Sequence, residues 1–256
     1  ATARSYMWVV SGFREGKKLL FFHYHPTRSG TVATEFLKGY TGYLQTDGYA
    51  GYSQIGQAQG IIHVGCMAHI RRKFFDAEKV SGGSEDAPEF LSMIAAFYHT
   101  EALLRQRYEH NELDDPSFLR ERRKVQEPQL AAMYEWLLVR SRRLAPLSSL
   151  GKAVSYALGQ WHEVVHYLEH ALLTPDNNAV ENAIRPFVVG RKNWLFSNTP
   201  AGAHTSAGLY SLIETAKANG HEPYAYLCHV FDLLPKAKTP EEKLSLLPYR
   251  LDPLTY

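Results

Sequence analysis

Residues 88–173 carry almost no strand signal, and the stretches on either side have a different character. Within this span Phe90, Ile94, Phe97 and Leu104 fall on one helical face. Leu130, Met133, Leu137 and Leu144 fall on a second, and Val154, Leu158, Val165 and Leu168 continue the pattern, with breakers at Pro116 and Pro146. Before it, short β-rich runs at residues 6–10 and 19–24 flank a polar turn at 14–18 and read as an antiparallel hairpin. A short helix is expected at 31–37, a strand at 43–47 ended by Gly48, and a helical stretch through Tyr52 and Ile55. A strand at 61–64 and a helix at 66–80 follow. Strands alternating with helices require a mixed sheet covered by helices, so the fold class is α/β with an all-α insertion of roughly 85 residues.

The far side of the insertion is helical with breaks. Asp or Asn at 176–178 caps a helix starting near Ala179, expected to stop around Arg185-Pro186. A short apolar segment at 194–196 precedes a long helix at 203–217, which Asn219-Gly220 terminates. A last helix covers 223–234, and the linker at 236–240 and the Pro-rich end read as peripheral. With a flexible break at 81–84, this divides the chain into 1–84, an insertion at 85–173, a return at 174–202, and a C-terminal helical element at 203–256.

Composition narrows the function classes. Apolar residues at 45% suffice for a core, and a formal net charge of +2 argues neither for nor against nucleic acid. Cations nevertheless cluster at 71–73, 120–124, 140–143 and 191–192. Two cysteines, Cys66 and Cys228, do not indicate a disulfide scaffold and fit a reducing, cytoplasmic setting. No apolar run reaches the length of a membrane span, so no membrane partner is expected. A strand pattern that begins by Tyr6 suggests a chain that starts mid-domain.

Two carboxylates stand out. Asp47 ends a strand, where a rigid sheet fixes its oxygens beside an open loop, although an Asp before Gly is commonly a turn-former. Glu181 shares a helical face with Asn178, Asn182 and Arg185, a grouping that also suits a plain surface ion pair between Glu181 and Arg185. Arg191 and Lys192 add cations suited to phosphate, and Trp194 suits either base stacking or a core. Cys66 and His69, with His63 three residues before Cys66, lack the paired fourth ligand of a structural zinc site. Cys66 then reads as a small buried residue, and His69 as an orienting or phosphate-facing one. Arg71 and Arg72 face either DNA or solvent. Phosphate-loop, dinucleotide and nucleophile-elbow motifs are absent.

Several stretches together resemble the transposases of the insertion-sequence 66 family. They are Leu44-Gln-Thr-Asp47-Gly-Tyr-Ala-Gly-Tyr52, Gly65-Cys-Met-Ala-His-Ile-Arg-Arg-Lys-Phe74 and Asn177-Asn-Ala-Val-Glu-Asn-Ala-Ile-Arg-Pro186. Gly190-Arg-Lys-Asn-Trp-Leu-Phe196, Tyr210-Ser-Leu-Ile-Glu-Thr-Ala-Lys-Ala-Asn-Gly220 and Tyr224-Ala-Tyr-Leu227 complete the set, in the family's order. The resemblance implies a ribonuclease H-like fold with an Asp-Asp-Glu triad, Asp47 matching the second acid and Glu181 the third. Glu214 is a rival third acid that matches the C-terminal element instead. The family's first acid lies on a strand before Trp8, and no Asp or Glu precedes Glu15, so the chain as given is expected to lack full activity.

The same resemblance implies two Mg²⁺ or Mn²⁺ ions in the intact enzyme, held by Asp47 and Glu181. It implies terminal inverted repeats and target DNA as partners, homo-oligomers on DNA, and a nucleoid-associated location. Arg71, Arg72, Asn178, Arg185, Arg191 and Lys192 are the expected DNA contacts, with Cys66, His69, Asn182 and Trp194 in support. The alternatives are an inactive DNA-binding remnant and a structure-specific nuclease on the same fold, such as a junction resolvase.

Overall fold

The computed structural model describes residues 5–48, 52, 60–80, 85–194, 197 and 199–255, with only the backbone at 191–194. The expected break at 81–84, most of the stretch around Tyr52 and Ile55, and Leu195-Phe196 lie outside the described residues. The chain forms two compact units, one of Ala1–Val32 with Asn178–Tyr256 and one of Ala33–Asn177.

In the first unit β1 (Tyr6–Arg14) pairs antiparallel with β2 (Lys17–His25), with Trp8 opposite His23 and Val9 opposite Phe22. The turn is tighter than the sequence suggested: only Glu15 and Gly16 connect the strands, at φ 53° and 75°. Two consecutive positive φ values are what a two-residue hairpin turn of matching twist demands. Register puts Met7, Val9, Leu20 and Phe22 on one face of the ribbon. They pack against Ala183, Ile184 and Phe187, and against Ala207 and Tyr210.

Ala183, Ile184 and Phe187 belong to α6 (Asn178–Trp194), and Ala207 and Tyr210 to α7 (Pro200–Ala218). The helix expected to stop at Arg185-Pro186 instead runs through Pro186. Proline removes one backbone donor there, but its fixed φ is helical. The apolar face at 183, 184 and 187 continues across it onto the hairpin, and that packing offsets the lost bond.

The exposed edge of β2 is sealed by side chains. Lys18 N donates to Asn219 Oδ1 (3.2 Å), Leu20 N to Thr215 Oγ1 (3.0 Å) and Phe22 N to Ser211 Oγ (2.9 Å). In return Asn219 Nδ2 donates to Lys18 O and Thr215 Oγ1 lies against Leu20 O. Ser211, Thr215 and the C-cap residue Asn219 are spaced by four, so one stripe of α7 and its cap replaces a neighbouring strand.

The C-terminal segment is not peripheral. After α8 (Pro223–Leu233) the chain returns through α9 (Pro240–Ser245), and Leu246 is buried with Ala216, Tyr226 and Val230. Buried His221 bridges Pro248 O and Leu254 N, and Tyr226 Oη donates to Leu246 O. Hydrogen bonds to its own backbone hold the Pro-rich end, which hydropathy alone does not reveal.

The second unit begins within α1 (Gly30–Phe36) and then holds β3 (Gly42–Gln45) and β4 (Ile61–Val64) in parallel, with Gln45 opposite Val64. Among the described residues the strands therefore form two two-stranded sheets rather than one larger one. α2 (Met67–Glu78) follows, then α3 (Asp86–Glu109), α4 (Asp115–Ser141) and α5 (Ser149–Val165). Phe74, Phe90, Ile94, Phe97, Met133, Leu137, Val154 and Tyr167 meet in one core with Val64 and Ile70.

This core contains buried charge. Arg122 is fully buried, donates to Glu101 through Nε (3.0 Å) and Nη2, and also reaches the carbonyls of Tyr167, His170 and Leu173. Arg105 pairs with the same carboxylate (2.9 Å) and donates to Ala171 O and Leu173 O. Two guanidiniums thus satisfy the carbonyls of the irregular segment that returns from α5, where regular backbone pairing is lost. Among the described residues no helix is long and apolar enough to cross a membrane.

Candidate active site

Asp47 stands two residues beyond the last paired couple of β3 and β4, and is half-buried. Cys66 stands two residues beyond Val64 on the parallel neighbour, so both chains leave the sheet on the same side, at the carboxyl ends of the strands. Open α/β sheets characteristically bind ligands there.

The backbone before Asp47 is braced on several sides. Thr46 N donates to Val64 O (3.1 Å), and the Thr46 hydroxyl donates to Asp47 O (2.8 Å). A hydroxyl has one proton, so its 2.7 Å contact with His63 is accepted from Nε2–H, which fixes that tautomer. Burial lowers the His63 pKa; Glu163 opposes this and His166 adds to it. Gln45 Nε2 donates to Gly65 O (3.3 Å) and Thr174 O (2.7 Å).

The other end of this unit closes onto the same place. Met67 N donates to Pro175 O (2.8 Å), and the Cys66 thiol donates to Asn177 Oδ1 (3.0 Å). Burial pushes the Cys66 thiol pKa up, so it stays a neutral donor and a poor metal ligand. It behaves as the small buried residue expected. Tyr98, whose pKa burial also raises with Asp176 contributing, lies within the influence of Arg71. On α2, Met67, Ile70, Phe74 and Ala77 point inward while Arg71, Arg72 and Lys73 are exposed; His69 is half-exposed. The cationic run therefore occupies the outer face of the helix that starts beside Asp47.

Two site-lining residues escaped the sequence, Tyr156 and Gln160 of α5, while Asn177 reads there only as part of a helix-capping and family-like stretch. A Cβ on residue 48 would lie 2.2 Å from Tyr156 Oη and 3.3 Å from Gln160 Oε1. Lys73 Nζ sits 5.4 Å over the Tyr156 ring. Burial raises the Tyr156 pKa, as do Cys66 and Asp47, while Arg72 opposes them. The only signal in the sequence was Gly48, read as a turn residue.

Glu181 belongs to the other unit. On α6 it is half-exposed, with Asn178, Asn182 and Arg185 exposed and Ala183 and Gly190 buried, so the polar face expected from spacing is present. Arg185 Nη1 donates to Asn182 Oδ1 (3.3 Å). Arg191, Lys192 and Trp194 lie on α6 by their backbone, and their side chains are outside the described residues. The rival Glu214 is buried on α7, paired with Lys217 (2.8 Å).

In chemical type Asp47 and Glu181 suit a hard divalent cation. Among the described residues no group of three His, Cys, Asp or Glu side chains is assembled to hold a metal. Each donor fits such an ion in kind.

The model of the transposase IS66 family matches residues 1–205, and that of the IS66 C-terminal element matches 211–249. The chain belongs to the IS66 transposase family. It is similar to uncharacterized protein y4jD of Sinorhizobium fredii (strain NBRC 101917 / NGR234), 31% identical over 87% of the chain and 44% of that protein. Uncharacterized proteins y4qI and y4hP of the same strain are 27% and 30% identical over 92% and 79% of the chain, and 44% and 38% of their own lengths. The chain thus spans less than half the length of the curated relatives it matches. No solved structure matches it. The IS66 C-terminal element begins at residue 211, the first rung of the side-chain ladder that seals β2.

Proposed function

We propose that this IS66-family chain is the catalytic portion of a DNA transposase, with Asp47 and Glu181 as the second and third acids of a metal-binding triad. The observation that carries the reading is the tie between Cys66 and Asn177. Asn177 is anchored where the strand next to Asp47 ends, and Glu181 follows it by four residues, one turn of α6 or a rise of about 6 Å. The chain thus returns to that strand exit four residues before Glu181, after the 133 residues (48–180) between the two acids.

In the intact enzyme two Mg²⁺ or Mn²⁺ ions would activate the attacking oxygen and stabilise the leaving one. The chain's own side chains hold these ions and position DNA. Asp47 and Glu181 supply hard oxygens. Asn178, Arg185, Arg191 and Lys192 on α6, with Arg71 and Arg72 on α2, meet phosphates of the transposon ends and target DNA. His69, Asn182 and Trp194 assist, and Cys66 holds Asn177. Homo-oligomers assemble on DNA in the nucleoid.

The fold proposed for the whole protein is ribonuclease H-like, with residues 85–173 as a helical insertion. The sealed edge of β2 supports this, because the hairpin can be extended only at β1, where a strand bearing the first acid would pair.

The test uses the full-length protein with DNA carrying terminal inverted repeats. Asp47→Ala and Glu181→Ala are each expected to lower Mg²⁺-dependent cleavage and joining by roughly 10³-fold, the several kcal/mol of transition-state stabilisation a metal supplies. Retained activity in either contradicts the assignment. Arg71→Ala or Arg185→Ala should weaken binding to all sequences alike and reduce the salt slope by about one unit. Cleavage without joining would instead favour a nuclease.

A further inference from the structure

The turn that presents Asp47 is shaped by a residue more than a hundred positions away in the helical region. Gly48 does not adopt a left-handed backbone; what it lacks is space. A methyl group there would collide with Tyr156 Oη at 2.2 Å and crowd Tyr156 Cζ at 3.2 Å and Gln160 Oε1 at 3.3 Å. Tyr156 and Gln160 are one helical turn apart on α5, so a single face of that helix presses two polar groups onto the backbone just after Asp47.

That helix is fixed independently of the contact. Its neighbours Ala153, Val154, Ala157 and Trp161 are buried in the core. Gly65, at the end of β4, donates its N–H to Glu163 O (2.9 Å), and a Cβ at Gly65 would lie 2.8 Å from Val164. The last three turns of α5 thus abut the carboxyl ends of both parallel strands, at Gly48 and at Gly65. Two glycines just beyond the ends of the parallel strands, each approached by the same helix, place α5 against both strand exits.

We infer that Tyr156 is a positioning residue for Asp47: its hydroxyl, lodged against the Gly48 backbone, sets the direction in which the Asp47 carboxylate leaves the sheet. This rests on the reading of Asp47 as a metal ligand. The helical region is then part of the active site's scaffold and not only a spacer. Lys73 lies over the phenol ring, and Tyr156 as a whole is half-exposed, so the outer side of this contact faces solvent and a cation suited to phosphate.

The experiment measures Mn²⁺ uptake by the full-length protein, from the paramagnetic resonance signal of free Mn²⁺, alongside Mn²⁺ half-saturation of DNA cleavage and thermal melting. Gly48→Ala is expected to weaken uptake about tenfold or more, as loss of a ligand-orienting partner does, and Tyr156→Phe about three- to tenfold. Combining the two should give less than the product of the single effects, because removing the hydroxyl relieves the clash the methyl creates. Tyr156→Phe keeps the ring and its packing, so it reports even if Gly48→Ala misfolds. Unchanged Mn²⁺ uptake and half-saturation in Tyr156→Phe, or strictly multiplicative effects in the pair, overturns the inference. Asp47→Asn separates the two readings. If it leaves uptake intact, the metal-ligand assignment itself fails. If it abolishes uptake while Tyr156→Phe is silent, only the role of Tyr156 falls.

Discussion

The two units solve the same problem, unpaired backbone polar groups in a packed interior, by opposite chemical means. In the hairpin unit the groups lie on the β2 edge, and neutral side chains of α7 satisfy them: Ser211, Thr215 and Asn219. In the helical unit they are carbonyls of the segment after α5, and buried guanidiniums collect them, with Glu101 compensating the charge. A neutral ladder can lose one rung and keep the others. A buried ion cluster cannot lose one member without stranding another charge. The helical unit should therefore fail abruptly and the hairpin unit by degrees.

Arg122→Met sharpens this contrast most. It leaves Glu101 with Arg105 alone and removes a donor from the carbonyls of Tyr167, His170 and Leu173, of which Leu173 O keeps Arg105 and His170 O keeps Leu173 N–H, and it should cost roughly 3–5 kcal/mol in chemical denaturation. A loss below about 1 kcal/mol would mean the cluster is solvated in solution, and the distinction between the units would disappear. Thr215→Val comes next. It keeps the shape but leaves Leu20 N–H without its partner, at about 1–3 kcal/mol, with Ser211 and Asn219 still holding the edge. A cost as large as that of Arg122→Met would show the ladder to be cooperative rather than graded.

The smallest effect expected is the pH response of the β3–β4 pair. His63 is more basic in the unfolded chain than in the fold, where burial lowers its pKa, with Glu163 opposing and His166 reinforcing. Its contribution is therefore complete above the unfolded value near 6.5 and declines as pH falls from there through the lower folded value. His63→Gln should flatten the stability profile of the protein between about pH 7 and 5 by a fraction of what Arg122→Met costs. An unchanged profile would place its pH sensitivity elsewhere.

Much of this architecture was legible because it is periodic. The hairpin, the inward faces of α3 to α5 and the polar face of α6 follow from local pattern and spacing, whereas the parallel pairing of β3 and β4 does not. What escaped was long-range or polar. Ser211, Thr215 and Asn219 were visible at spacing four, but a polar stripe on a helix ordinarily means solvent, and only the hairpin shows it to be a strand substitute. Gly48 was read as a turn residue, whereas its reason is Tyr156, across 107 residues (49–155) of intervening chain. Pro186 reads as a helix stop, and the Pro-rich end as peripheral, because local rules treat proline as a breaker. Packing on the hairpin and hydrogen bonds to His221 and Tyr226 override that locally.

The central claim, that Asp47 and Glu181 ligate the same divalent metal centre, is tested most directly by swapping ligand hardness. In the full-length protein Asp47→Cys and Glu181→Cys should each be inactive in DNA cleavage with Mg²⁺, which rejects thiolate, and regain measurable activity with Mn²⁺, which tolerates it. Activity of either variant in Mg²⁺ at the parent level, or rescue of one position and never the other, would contradict a metal centre shared by these two side chains.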